Sequence, residues 1–167
     1  MPSGGLCDAP KLGQVMAVKT FGFEEAKNRA RSGGGGTLSE AALRELALIA
    51  EEACNKARDT YPTRASGGYD DQTRNLRGSI GYSIRVNGKE VTRGGFDGRG
   101  SADGKKAAEA GLDLFGTRGA MAEIVIVAGM EYARYVEAKG HNVITFVQPW
   151  LEEQMEKLGK DIKAGRI

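Results

Sequence analysis

Histidine, cysteine, tryptophan and proline are scarce in this 167-residue chain, at one, two, one and four copies. The single histidine, His141, follows Gly140 with no serine, cysteine or carboxylate pattern beside it, so no nucleophile–base arrangement is suggested. Cys7 and Cys54 are too few and too far apart for a metal-ligand cluster, and both are expected to be reduced thiols. Cys54 falls on the apolar stripe of a helix, where a small core residue is the plainer reading than a nucleophile. No apolar run is long enough to cross a bilayer and the N-terminus has no secretory apolar region, so a soluble product made in a cytoplasm is expected.

Charge of one sign is also lacking. The net charge is +2, and the segments 1–36, 37–61, 62–121 and 122–167 carry +2, −2, +3 and −1. None has the cationic density of a phosphate-backbone binder. The arginines between residues 64 and 99 nevertheless leave a nucleic-acid-binding module as the alternative reading.

What is abundant is glycine, with 25 copies against four prolines, clustered at Gly33–Gly36 and between Gly94 and Gly119. These stretches read as mobile or turn-rich. Asp97, Asp103 and Asp113 lack the acidic alternation and closing glutamate of a calcium loop. GGFDGRG lacks the strand-to-helix setting and the Lys-Ser/Thr of a phosphate loop. No cofactor, metal or enzymatic activity is therefore expected.

The periodicities describe an α+β fold, in which a long helix in the N-terminal half and a C-terminal helix pack on a small antiparallel sheet. Residues 1–36 are expected to form an N-terminal arm, with a strand at Val15–Phe21 and helical turns in FEEAKNRARS, and residues 37–167 a single domain. Thr37-Leu-Ser-Glu40 has capping-box spacing and opens a helix to about Thr60, ended by Pro62. Asn75–Ile80 reads as a short helical turn after a Ser/Gly loop at Thr63–Tyr69. Ile80, Tyr82, Ile84 and Val86 alternate with Gly81, Ser83 and Arg85, the pattern of a half-buried strand. Asn87-Gly88 suits a type I′ turn, which would set Val86 opposite Lys89 and Ile84 opposite Val91.

Beyond Arg93 comes a long glycine-rich excursion, Gly94–Gly119, with a short helix from Asp103 to Phe115; its length suggests an arm or loop that reaches a neighbour. Ala122–Ala128 is apolar on both faces and reads as the central strand. Tyr132–Gly140 forms a short helix with a glycine C-cap, Asn142–Thr145 an extended piece, and Gln148-Pro149 starts the final helix. Tyr69, Tyr82, Tyr132 and Tyr135 could stack on bases, but two lie in amphipathic elements where core packing explains them. Arg74 and Arg77 beside Asp70 and Asp71 could meet a partner's carboxylates or DNA, or pair locally.

Two blocks, TRNLRGSIGYSI at Thr73–Ile84 with its Asn-Gly hairpin and VAGMEYARYVEAKGHNVI at Val127–Ile144, resemble the head–tail joining or tail-completion family of tailed phages and prophages. The family is typified by gene product ten of HK-type lambdoid phages, and the likeness is to the variety found in Bacteroidetes prophages. It covers about Leu43–Leu158, with matching positions at Thr73, Asn75, Leu76, Arg77, Ser79, Ile80, Tyr132, Ala133, Val136 and Glu137.

The resemblance implies a helix packed on a small antiparallel sheet and subunits joined as a ring at the neck between capsid and tail, six copies being one arrangement. Its implied partners are other copies of itself and neck, connector and tail-tube proteins, with DNA at most passing through the lumen and no membrane. The implied location is the virion, after synthesis in the host cytoplasm. Arg74, Arg77, Phe96, Arg99 and Phe115 are the candidate assembly contacts. The chain departs from the family at Arg74, where glycine is usual, so the turn must use ordinary backbone angles or bear strain. It also carries extra loop residues at Ala65–Tyr69 and the long 94–119 excursion.

Overall fold

A computed structural model describes the backbone of residues 16–22 and, with side chains, residues 38–61, 63–114 and 121–167. The expected helical turns of FEEAKNRARS, and Cys7, Thr37, Pro62 and Phe115, lie outside the described residues. The fold is α+β. Four antiparallel strands, β1 (Met16–Gly22), β2 (Ile80–Val86), β3 (Lys89–Gly94) and β4 (Ala122–Ala128), are ordered β1-β4-β2-β3. The strand expected near the N-terminus spans Met16–Gly22 and pairs with β4 in the sheet. β4 is central and buried along its whole length, as its unbroken apolar run requires.

Helix α1 (Glu40–Asp59) packs on one face of the sheet beside α5 (Gln148–Lys163). The cap of α1 is Ser39, two residues later than expected: its hydroxyl accepts the Ala42 amide at 3.0 Å. Leu46, Ala50, Ala53 and Cys54 form a fully buried stripe against Ile80, Ile84, Ile124 and Ala128, joined by Leu151 and Leu158 of α5. This is the main core.

The opposite face of the sheet is also covered, which overturns the half-buried reading of β2. Helix α3 (Ala102–Leu114) sets Ala108 and Leu112 against Val125 and Val127, with Phe96 alongside. The small residues of β2 are room for this second layer, not a solvent face. A Cβ on Gly81 would stand 2.4 Å from the Phe96 ring, and one on Gly78 only 1.6 Å from the Arg99 carbonyl oxygen. Close approach accounts for glycine at both positions. Through residue 114 the excursion therefore folds back on its own sheet instead of extending as an arm.

Two arginines tie α3 down. Arg85 donates to the Leu112 carbonyl, an acceptor that the last turn of the helix leaves without an intrahelical partner, and Arg93 donates to the Glu109 carbonyl one turn earlier. Arg93 also bridges Glu90 and Asp113. Buried Arg58, on α1, donates to the carbonyls of Ile80 and Gly95 and fastens the start of the excursion to the main core.

The hairpin turn has positive φ at both Asn87 and Gly88, as the dipeptide requires. Val86 faces Lys89, but a bulge between Ile84 and Arg85 shifts the register so that Ile84 faces Thr92. Val91 is the displaced residue and is 49% exposed, so the expected Ile84–Val91 pair does not form. Residues Asn142–Thr145 are not a strand; Thr145–Val147 form a 3₁₀ turn that leads into α5.

Candidate functional site

The two blocks behind the resemblance meet in space. The short helix α2 (Asn75–Gly78) ends at Ser79, whose hydroxyl donates to the Leu76 carbonyl at 2.7 Å. The Gly129 amide at the end of β4 donates to both the Ser79 carbonyl and its hydroxyl, at 3.2 and 3.1 Å. Ile80 pairs with Ala128 directly. Leu76, Ile80 and Ala133 are buried in the main core and Val136 packs against it, so these matching positions are structural. Glu137, on helix α4 (Ala133–Ala138), accepts the Thr145 amide at 2.7 Å and fixes the turn into α5.

Above this junction, the 63–73 loop and α4 border a cleft of about 580 Å³. Tyr69, Asp70, Asp71, Thr73, Tyr132, Tyr135, Lys139 and His141 are among its lining residues. The loop is held by Arg77, whose guanidinium donates to the carbonyls of Tyr61 and Tyr69 at 3.2 and 3.0 Å and lies 4.8 Å from the centre of the Tyr69 ring. The Arg64 amide donates to Asp70 Oδ1 and the Arg77 amide to Asp71 Oδ2, at 3.1 and 2.8 Å. On the other wall, Asn142 donates to the Gly67 carbonyl at 3.0 Å and joins the two sides.

Burial pushes the Tyr69 phenol up to about 12, against the opposing pull of Arg77. Tyr132 is raised as well, first by burial and then by the Asp71 carboxylate, with Thr73 opposing. Asp71 therefore lies near both phenols.

The candidate contacts fare differently. Arg74 is exposed and adopts φ 58°, ψ 13°, the left-handed region, so the turn keeps the glycine-type backbone and bears strain. Arg77 is turned inward on backbone carbonyls, as described. Phe96 belongs to the second core, with Lys105 Nζ 5.5 Å from its ring centre. Arg99 is exposed and pairs with Asp97 at 3.4 Å. Among the arginines of residues 64–99, Arg77, Arg85, Arg93 and Arg99 thus all have partners within the chain.

Cys54 is fully buried and its thiol is pushed up to about 12 by burial. Among the described residues, no three His, Cys, Asp or Glu side chains are grouped to hold a metal ion, and no helix is long and apolar enough to cross a membrane.

The cleft is the feature sequence patterning did not assemble. Asp70-Asp71 and the tyrosines are visible in the chain, but Tyr69 and Tyr82 are core residues, while Tyr132 and Tyr135 are exposed. Only the tertiary contact of the loop with α4 sets the second pair opposite the aspartates. No family model, curated protein or solved structure matches the chain.

Proposed function

We propose that this protein is a structural subunit of a tailed phage or prophage, a head–tail joining or tail-completion component that closes into a ring at the neck. The observation that carries this reading is the meeting of Thr73–Ile84 with Val127–Ile144, which places Ser79, Ile80, Gly129 and Ala133 in one continuous packing unit. Two stretches about fifty residues apart that resemble one family gain weight when they form a single junction, since each alone is a weak motif. A ring also answers an exposure problem. β1 and β3 stand at the two edges of the sheet, and a heterologous contact that closes by rotation covers unpaired edges on every subunit.

The test is co-expression of the full chain with the neck and tail-tube proteins encoded by neighbouring genes, followed by mass measurement and negative-stain microscopy. Annular particles containing this chain are expected. A chain that stays monomeric at all concentrations and joins none of those proteins would sink the reading. Binding to duplex DNA that falls steeply between low and physiological salt would favour the nucleic-acid alternative instead.

A further inference from the structure

The cleft between the 63–73 loop and α4 holds a set of groups that lack one kind of partner. Tyr132 and Tyr135, 38% and 64% exposed, are the exposed aromatic side chains among the described residues, and both line it. Asp70 and Asp71 face them with no ion pair within 4 Å among the described residues, whereas Glu90, Asp97, Asp113 and Asp161 each pair with an arginine. Each aspartate has only one oxygen committed to a backbone amide. Tyr69 is buried against the Arg77 guanidinium, so the aromatic groups open to an occupant are Tyr132 and Tyr135.

The two aspartates and the two tyrosines share a sign. Carboxylate oxygens accept, a phenol oxygen can accept, and aromatic faces carry negative quadrupole density. Together they suit a cation that brings several donors and a flat surface, which describes a guanidinium better than an ammonium. The chain itself illustrates the affinity of one ring: Lys139 Nζ lies 5.1 Å from the centre of Tyr135. Lys139 and Arg64 at the rim would repel a run of positive charges. The occupant is thus one arginine on a segment that is not otherwise basic.

We propose that this cleft is a docking site for a single arginine side chain of a protein partner, stacked against Tyr132 and Tyr135 and paired with Asp70 and Asp71. The proposal stands apart from the ring reading, since any partner that presents such an arginine would serve.

The test is an amide-shift titration of the full chain with Nα-acetyl-arginine methylamide as the probe. Saturable shifts are expected at residues 69–73 and 132–141, with a dissociation constant on the order of millimolar, as suits a lone side chain. The lysine analogue should bind several-fold more weakly, and the norleucine analogue and acetate should give no saturable shift. Asp71→Asn keeps an acceptor for the Arg77 amide, and Tyr135→Ala alters an exposed side chain, so both variants should fold. Each should weaken the probe about fivefold or more. No saturable shift in the parent chain up to about 50 mM, equal binding of acetate, or unchanged affinity in both variants would overturn the proposal.

Discussion

Replacing Arg74 by glycine is expected to stabilise the folded chain, although it removes a whole side chain. Arg74 holds φ 58°, and its carbonyl accepts the Gly78 amide at 2.9 Å in the only turn of α2. An L-residue in this region costs roughly 1–2 kcal/mol relative to right-handed backbone. Glycine relieves that cost but loses about 0.5–1 kcal/mol more chain entropy on folding. The net gain is about 0.5–1 kcal/mol, which for a domain of this size corresponds to a rise in melting temperature of ~1–4 °C. Arg74→Asn should fall between, because asparagine tolerates the left-handed region, and Arg74→Ala should gain nothing. Thermal melts followed by circular dichroism decide it. A fall in melting temperature for Arg74→Gly, or equal values for the glycine and alanine variants, would refute the strain argument. If the arginine is kept for assembly, the glycine variant should be more stable as a subunit yet poorer at joining its partners, the pattern expected of strain at a working site.

Four further outcomes follow from the packing and the charges. Gly78→Ala should cost about 3 kcal/mol or more in chemical denaturation, because its Cβ would stand 1.6 Å from the Arg99 carbonyl oxygen and backbone must move; a loss below about 1 kcal/mol would refute that close approach. Leu46→Ala, in the fully buried stripe of α1, should cost about 2–5 kcal/mol by the same assay, and an unchanged midpoint would mean that α1 does not pack as described. Cys54, Tyr69 and Tyr82 all titrate near 12 when folded, mainly through burial, so the unfolded chain releases these protons first as pH rises. Stability should fall between about pH 9 and pH 12, at ~1.4 kcal/mol per pH unit for Cys54 alone, and flat denaturant midpoints across that window would contradict its burial. At the acid end, burial would raise Glu90, but hydrogen bonds from Arg93 and Ser83 outweigh it and hold the carboxyl below the usual range. The stability it adds is present above about pH 4.3 and lost as pH falls through the lowered value, so α3 amides should lose protection relative to their intrinsic exchange rates at low pH and in Arg93→Ala; unchanged protection of α3 relative to α1 would refute the latch.

The elements themselves were legible in the chain because each rests on local chemistry. Leu46, Ala50, Ala53 and Cys54 recur at helical spacing, Pro149 suits a first turn, and Asn87-Gly88 accepts two positive φ angles. Those preferences act within a few residues, so they survive in any surroundings that bury the right face. The family resemblance drew on the same local blocks, but their junction through Ser79 and Gly129 is a contact across fifty residues.

Layer assignment was decided only by the tertiary structure. Gly81 and Ser83 have no signature that separates a solvent face from a face kept small for a helix, and only the return of Phe96 and α3 makes that distinction. The register of β3 depends likewise on a bulge that the hairpin dipeptide does not encode. The cleft is the clearest case. Asp70 and Asp71 are about sixty residues from Tyr132 and Tyr135 in the chain, and their common environment exists because Arg77 and Asn142 bind loop carbonyls on its two sides. Local sequence sets what each segment can become, whereas burial of both sheet faces sets which segments meet, because that is where the folded chain removes most apolar surface from water.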